Sequence, residues 1–510
     1  MMSSFPRGTS TSIWKMVLLT HLFVTIVACS QQVIASYDNS TTSGDDDGKR
    51  IAVIGAGAGG SAFSYYLQRY TSHAFNITVF ESNGYIGGRS TTIGNYVSSL
   101  GNVTDEYLLN CDIELGGSVF VEANAIMVNG AEMFDLSTAD NGLSDTDKLT
   151  QTVGMWTGSK FNVWLDASST ITSLLGDLKL IIKYNFSIFR LFLDLQSYVN
   201  NFVGYFYHEA FPYDMQTVVA DAGLSDTTGS YASKFLKTIK HWYADNFLYD
   251  IVGPATRVNY LSDLDDIHAF GAYISMAASN ANAIKGGNFQ IFERFLEESE
   301  AQILLNTKVT KISQNGDGKW TVSYGDGDSA KFDQVVIAAP LQLTGIVFEG
   351  ADMSKLQNVE YRIVHATYIQ TPIDHLMDKP QFGSKGVPQT MFTTANDSIP
   401  FKSTNIVHYD NSTNKVTYKV VTDEAIDKDF VAEQFFSNMT DVEILFAHEW
   451  RAYPILKPTT IFDKFEVHEG LWYLNSMERF ISTMETAALA GAAVAGHIAQ
   501  GINTEPIVVP

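Results

Sequence analysis

The residues best suited to chemistry stand in Ile51–Gln68, IAVIGAGAGGSAFSYYLQ. Gly55, Gly57 and Gly60 follow four apolar residues, Ile51 to Ile54, that suit a buried parallel strand, and helical spacing at Phe63, Tyr66 and Leu67 comes next. A strand, a Gly-x-Gly-x-x-Gly turn and a helix make an anion cradle: the glycines let the backbone close on a diphosphate, and the helix start offers free N–H groups. Alone, the pattern also fits a plain glycine turn. Downstream, NITVF (Asn76–Phe80) reads as a second strand, and Glu81 ends it, about 20 residues beyond the last glycine. A carboxylate there accepts hydrogen bonds from a ribose 2′-hydroxyl. It favours an unphosphorylated ribose, hence NAD or FAD over NADP.

The next residues choose between those two. ESNGYIGGRS, Glu81 to Ser90, resembles the ExxxxxGGR extension of the FAD-binding amine oxidase and glutathione reductase group. The resemblance implies close backbone approach at Gly87 and Gly88 and a charge from Arg89 near the diphosphate or the flavin edge. IELGGSVF, Ile113 to Phe120, resembles the glycine pair that passes over the flavin in that group, with Gly116, Gly117 and Ser118 in contact. Read locally, it is also a Gly-Gly strand turn. The segment around Val309 is implied to return to the adenine. The last match is a helix starting near Thr483, where Met484 and Glu485 stand at its N-terminus. A helix start beside the flavin pyrimidine stabilises negative charge arising on reduction. By itself that helix is a tightly packed core helix; as the fourth match in chain order it reads as the flavin's floor. FAD is the expected cofactor.

The elements that must position these residues follow in order. GGNFQIFERFLEE (Gly286–Glu298) reads as a helix, AQILLNTKVTKIS (Ala301–Ser313) as a strand pair and FDQVVIAAP (Phe332–Pro340) as a strand. The expected class is α/β: a Rossmann-like FAD-binding domain assembled from discontinuous segments, with an inserted α+β substrate domain. Its parts are residues 50–130, 276–345 and 466–510 for the FAD-binding domain, and residues 131–275, helical and aromatic-rich, and 346–465 for the substrate domain.

The chain of 510 residues is 45% hydrophobic and 17% charged, which fits a folded body of more than one domain. A formal net charge of −23 without a long Lys/Arg run excludes a nucleic-acid partner. Residues 1–35 read as a secretory signal peptide: Arg7 and Lys15, then an apolar run from Met16 to Ala28, then small residues at Ser30 and Ala35. An uncleaved anchor is the alternative. Residues 36–49 are a polar, acidic linker. Cys29 falls in the leader, so Cys111 stands alone, with no disulfide, CxxC pair or cysteine metal site. Sequons at Asn39, Asn76, Asn102, Asn185, Asn396, Asn411 and Asn438 are compatible with a glycosylated lumenal protein.

Between Leu178 and Tyr213 the sequence is dense in Phe, Tyr, Leu and Ile, but Lys183, Arg190 and Asp194 exclude a conventional spanning helix. It either packs the substrate domain's core or also walls an apolar tunnel or touches a membrane surface.

VGPATRVNYLSDLDDIHAFGAYISMA (Val252–Ala277), FAHEWRAYPILKP (Phe446–Pro458) and LWYLNSMERFISTMETAALAG (Leu471–Gly491) resemble the prenylcysteine oxidase family, whose plant members are called farnesylcysteine lyases. The resemblance runs from Lys49 to Gly501, and RVNY, EWRAYP and YLNSME are its most distinctive blocks. It implies an FAD-dependent oxidase that uses O2 and water to cleave S-farnesylcysteine or S-geranylgeranylcysteine into cysteine, a prenyl aldehyde and hydrogen peroxide, in a lysosome or vacuole. No protein partner is evident. Loss of hydride from the carbon between sulfur and the allylic double bond leaves a cation that the substrate itself stabilises, so no nucleophile or metal is required. Arg257 is the expected partner of the substrate's carboxylate, with Asn259 or Tyr260 orienting the amino acid or a water; equally, these residues stitch the two domains together. His268 reads as a satisfied core histidine. Two competing readings are another amine oxidase or desaturase-like flavoenzyme, and a secreted prenyl-lipid carrier with an inert flavin.

Overall fold

In the computed structural model, which describes residues 48–140, 152–166, 180, 183–184, 186–208, 215–216, 243, 245–277, 281–459 and 461–500, the run KRIAVI forms the strand Lys49–Ile54. Its side chains alternate with the pleat. Ile51 and Val53 enter a helical core, while Ala52 and Ile54 enter a second core with Trp320 and Phe332. Burial on both faces is the environment of a parallel strand.

This strand sits inside a six-stranded sheet ordered Glu466–His468, Leu471–Tyr473, Gln334–Ile337, Lys49–Ile54, Phe75–Phe80, Gln302–Leu304. All neighbours are parallel except the first pair. The helix Ala58–Thr71 lies on one face between the helices Phe289–Glu298 and Met484–Gln500, and the alanines of the last let it approach closely. On the other face sits a meander of Val309–Gln314, Trp320–Tyr324 and Asp328–Phe332, joined by Val347–Glu349. The parallel sheet thus draws strands from three distant stretches of chain.

A second, seven-stranded sheet is ordered Glu443–Pro454, Tyr361–Pro372, Lys415–Thr422, Ser403–Asp410, Thr390–Thr393, Thr152–Trp156, Phe161–Asp166. Its back packs on a core of Ile369, Met391, Val416, Tyr418, Val420 and Phe435. Its front looks across a cavity toward the nucleotide sheet.

Three local expectations change. The first helix begins at Ala58, so Gly60 lies inside its first turn rather than before it. The segment expected to be helical contributes the hairpin Thr152–Asp166, because TVGMW and FNVWLD carry the β-branched and aromatic residues a strand favours. The sequence also reads as a loop between the strand at Leu471 and the helix near Thr483, where the structure has the 3-10 turn Leu474–Arg479. The signal peptide, nearly all of the linker, Cys29, Asn39, Asn185 and the tail after Gln500 lie outside the described residues.

Candidate active site

One cavity of about 2090 Å³ runs from the glycine turn to the front of the seven-stranded sheet. A single small-molecule site occupies roughly 300–1,000 Å³, so this one has room for a cofactor and a second ligand together. At one end Gly55, Gly57 and Gly59 face Glu81, Ser82, Asn83, Thr307 and Val309. Gly57 caps the helix Ala58–Thr71 without a side-chain bond, leaving its first N–H groups as an anion site. Gly60 does not reach the cavity: a Cβ there would run into the Gly55 carbonyl, so its role is close packing of helix on strand. Glu81 is buried, and its carboxylate is already engaged by the N–H of Ala56 (2.9 Å), the N–H of Asn83 (2.8 Å) and the Asn83 amide (2.7 Å). It organises the turn as well as lining it.

Midway, Gly88, Arg89, Gly116, Gly117, Ser118, Met484 and Glu485 line the cavity. Asn288, wholly buried, donates from its backbone N–H to Glu114 (2.7 Å) and from its amide to the Gly117 carbonyl (2.7 Å). A Cβ at Gly116 would collide with the Trp450 indole, which is why no side chain fits where the two domains touch. Glu485 turns away from a cofactor role: its carboxylate accepts from the N–H groups of Ile126 (3.0 Å) and Met127 (3.1 Å) and so caps the helix Ala125–Met133, whose own Asn124 makes no such bond. The helix Met484–Gln500 is capped reciprocally by Thr483 and Thr486 at 3.0 Å.

Arg89 is not left free for a diphosphate. Its guanidinium pairs with Glu478 and donates to the Ala452 carbonyl at 3.0 Å, while the Tyr361 hydroxyl donates to the same Glu478 carboxylate. Tyr453 meets Tyr260 edge to face at 5.8 Å. RVNY, EWRAYP and YLNSME, far apart in the chain, therefore converge on one junction of the cavity wall.

The substrate half is apolar on one side, with Met155, Leu165, Phe202, Ile251, Phe270 and Ile274. Phe202 belongs to the aromatic helix Phe186–His208 and stacks on Phe480 at 5.8 Å. Asn259 and Tyr260 line this space, although the Asn259 amide already donates to the carbonyls of Ala255 (3.0 Å) and Ser275 (3.1 Å). Arg257 does not line it. Its guanidinium turns back onto Asp263 at 2.5 Å and, through Nε, onto Thr393 at 3.3 Å, so its charge is used for stitching rather than for a ligand. His268 is wholly buried, its Nδ1 accepting from the Gly271 N–H (3.0 Å) and its Nε2 bonded to the Arg479 carbonyl (3.3 Å), and burial pulls its pKa down to about 4.

A family model described as "Prenylcysteine lyase" matches residues 167–507. The chain belongs to the prenylcysteine lyase family. A second model, "NAD(P)-binding Rossmann-like domain", matches residues 53–125. Among relatives, farnesylcysteine lyase of Arabidopsis thaliana is 26% identical over 502 residues, covering 94% of each chain. Prenylcysteine oxidase 1 of Bos taurus is 27% identical over 473 residues, covering 87% of each. Solved structures with the same fold include cyclohexylamine oxidase from Brevibacterium oxydans (TM-score 0.57, 15% identity, 89% of this chain and 99% of that one) and putrescine oxidase bound to putrescine (TM-score 0.58, 12% identity, 88% and 98%).

The residues of this prenylcysteine lyase family member fit FAD. The Ser90 hydroxyl and one Glu114 oxygen are buried on the cavity wall with no hydrogen-bond partner among the described residues, and at Gly57, Gly87, Gly88, Gly116 and Gly117 the wall presents backbone without a side chain. FAD is the cofactor; the glycine turn, Glu81 and Val309 would hold its nucleotide end, and Ser90, Gly116–Ser118 and Met484 would meet its ring end. Sequence reasoning singled out none of Ser90, Glu114, Asn288 and Glu478, although each lies within a stretch it used for the fold or the family.

Proposed function

We propose that this protein is an FAD-dependent oxidoreductase that cleaves the thioether of S-prenylcysteine, S-farnesylcysteine being the favoured substrate. The observation that carries the reading is the convergence of RVNY, EWRAYP and YLNSME on one cavity that has a nucleotide turn at one end and an apolar wall at the other. FAD bound there supplies a two-electron oxidation of the carbon next to sulfur. The protein's own residues hold the prenyl chain against Phe202, Ile251, Phe270 and Ile274 and exclude water from it. Arg89 and Glu478 clamp the two domains over the reacting region. Cysteine, a prenyl aldehyde and hydrogen peroxide are the products, with O2 as the final electron acceptor and one water supplying the aldehyde oxygen.

Placement in the lumen of a lysosome or vacuole is supported by the leader sequence and by Asn76, Asn102, Asn396, Asn411 and Asn438, all exposed. Contact with a membrane surface is supported by Phe189 and Leu193, one turn apart on the helix Phe186–His208 and 55% and 48% exposed. The deciding experiment adds S-farnesylcysteine anaerobically to the yellow holoprotein. Bleaching of the flavin bands, with peroxide on readmitting air, is expected. Bleaching by polyamines instead shows an amine oxidase, and a flavin that stays oxidised with bound prenylcysteine shows a carrier.

A further inference from the structure

The seven-stranded sheet presents an otherwise largely apolar front to the cavity, with one polar row across it. Thr390 pairs directly with Asn405, and Asn405 with Lys419, so the three side chains stand on one face of adjacent strands, about 5 Å apart. All three line the cavity. Neither the Thr390 hydroxyl nor the Asn405 amide has a hydrogen-bond partner among the described residues. At its far end the row continues through the parallel pair Thr390–Val153 into the apolar wall of Met155 and Leu165.

Lys419 is the unusual member. Its Nζ donates to the carbonyls of Leu115 (2.7 Å) and Glu114 (3.3 Å), and among the described residues no carboxylate lies within ion-pair distance. Part of its surface faces the cavity, yet desolvation by the surrounding protein lowers its pKa to about 8. Burial also raises the nearby Glu114 carboxyl, to about 8, which weakens the negative charge on that side. The other cations of the cavity differ: Arg89 is held by Glu478, while Lys285, Lys308 and Arg451 stand exposed. A desolvated ammonium with two of its protons on carbonyls and one proton left is a site waiting for an anion.

We propose that Lys419, with Asn405 and Thr390 beside it, is the head-group site for the amino-acid end of the substrate: Lys419 and the Asn405 NH2 donate to the α-carboxylate, and the Asn405 and Thr390 oxygens accept from the α-ammonium. The assignment rests on prenylcysteine being the substrate. It fixes the ligand's direction, with the zwitterion on the sheet and the isoprenoid running past Val153 to the aromatic helix. It also gives the carboxylate the partner that Arg257, occupied by Asp263, does not provide.

The test titrates unreactive ligands into the holoprotein and follows the bound flavin's absorption. S-dodecyl-L-cysteine is compared with its carboxyl methyl ester and with S-dodecylcysteamine, which lacks the carboxylate. Wild type is expected to bind the acid at least about tenfold more tightly than either, the worth of a charge-assisted contact. Lys419→Met is expected to lose most of the acid preference, keeping only what the Asn405 amide supplies, while Asn405→Leu weakens the acid less than Lys419→Met does. Equal binding of acid and ester by wild type overturns the assignment, as does full acid preference in Lys419→Met. If that variant does not fold, the wild-type comparison decides alone. Turnover of S-farnesylcysteine without acid preference overturns only the head-group site; absence of both turnover and binding overturns the prenylcysteine reading and this assignment with it.

Discussion

Arg89 and Glu478, 389 residues apart, form an ion pair at the junction of the two domains, and the Tyr361 hydroxyl shares the same carboxylate. The pair joins the glycine turn of the nucleotide domain to the 3-10 turn that follows its last strand, while the second Arg89 bond reaches the Ala452 carbonyl of the substrate sheet. Three chain segments are thus locked by one guanidinium.

Glu478→Ala leaves the Arg89 charge unpaired, but that side chain lines the cavity and is 32% exposed, so the variant is expected to lower stability by about 1–2 kcal/mol, and Arg89→Met with Glu478→Leu by less than the sum of the single changes. Thermal unfolding followed by release of flavin fluorescence measures both. A Glu478→Ala protein as stable as wild type rules out this role.

Gly116 is the point where the Trp450 ring leaves no room for a side chain. Gly116→Ala is expected to purify with reduced flavin content, and trimming the ring in Gly116→Ala/Trp450→Leu is expected to restore it. The ratio of flavin to protein absorbance is the readout, and full occupancy in the single variant contradicts the contact.

Glu485 satisfies two N–H groups at the start of the helix Ala125–Met133 from across the fold. Glu485→Ala is expected to cost about 1–2 kcal/mol, as a lost cap does. Glu485→Gln, which keeps one acceptor, should lie between that variant and wild type in denaturant titrations. If both variants match wild type, the cap contributes nothing.

His268 ties stability to pH. Its folded pKa of about 4 lies below the ordinary 6.5 because burial disfavours the imidazolium. Above pH 6.5 both states are neutral and the residue adds no pH dependence. As pH falls from 6.5 to 4, only the unfolded chain takes the proton, so stability declines, by on the order of 3 kcal/mol in total. His268→Asn, which keeps an acceptor for the Gly271 N–H, is expected to flatten this slope in a plot of Tm against pH; an unchanged slope assigns it to other groups.

The nucleotide half was legible because its signals are local. Ile51–Ile54, the glycine turn and Glu81 lie within one βαβ stretch, where residue order is nearly spatial order. The substrate half was not. The hairpin Thr152–Asp166 is short, and an aromatic-rich neighbourhood masks its alternation. Arg257 is only six residues from Asp263, but nothing in that spacing says that the helix Gly253–Asn259 ends so as to aim one side chain at the other.

By itself, the sequence determined a flavin-type dinucleotide fold and, through three distinctive blocks, the family. Those depend on backbone geometry and on residue types that survive in linear order. Only the tertiary structure decided which charges are free. Arg89 and Arg257 are paired with carboxylates, Glu485 is a cap, and Lys419 faces the cavity with no carboxylate paired to it among the described residues. Whether a charge can serve a ligand depends on what lies within hydrogen-bonding distance of it, and those neighbours are brought in by the packing of two sheets, not by position along the chain.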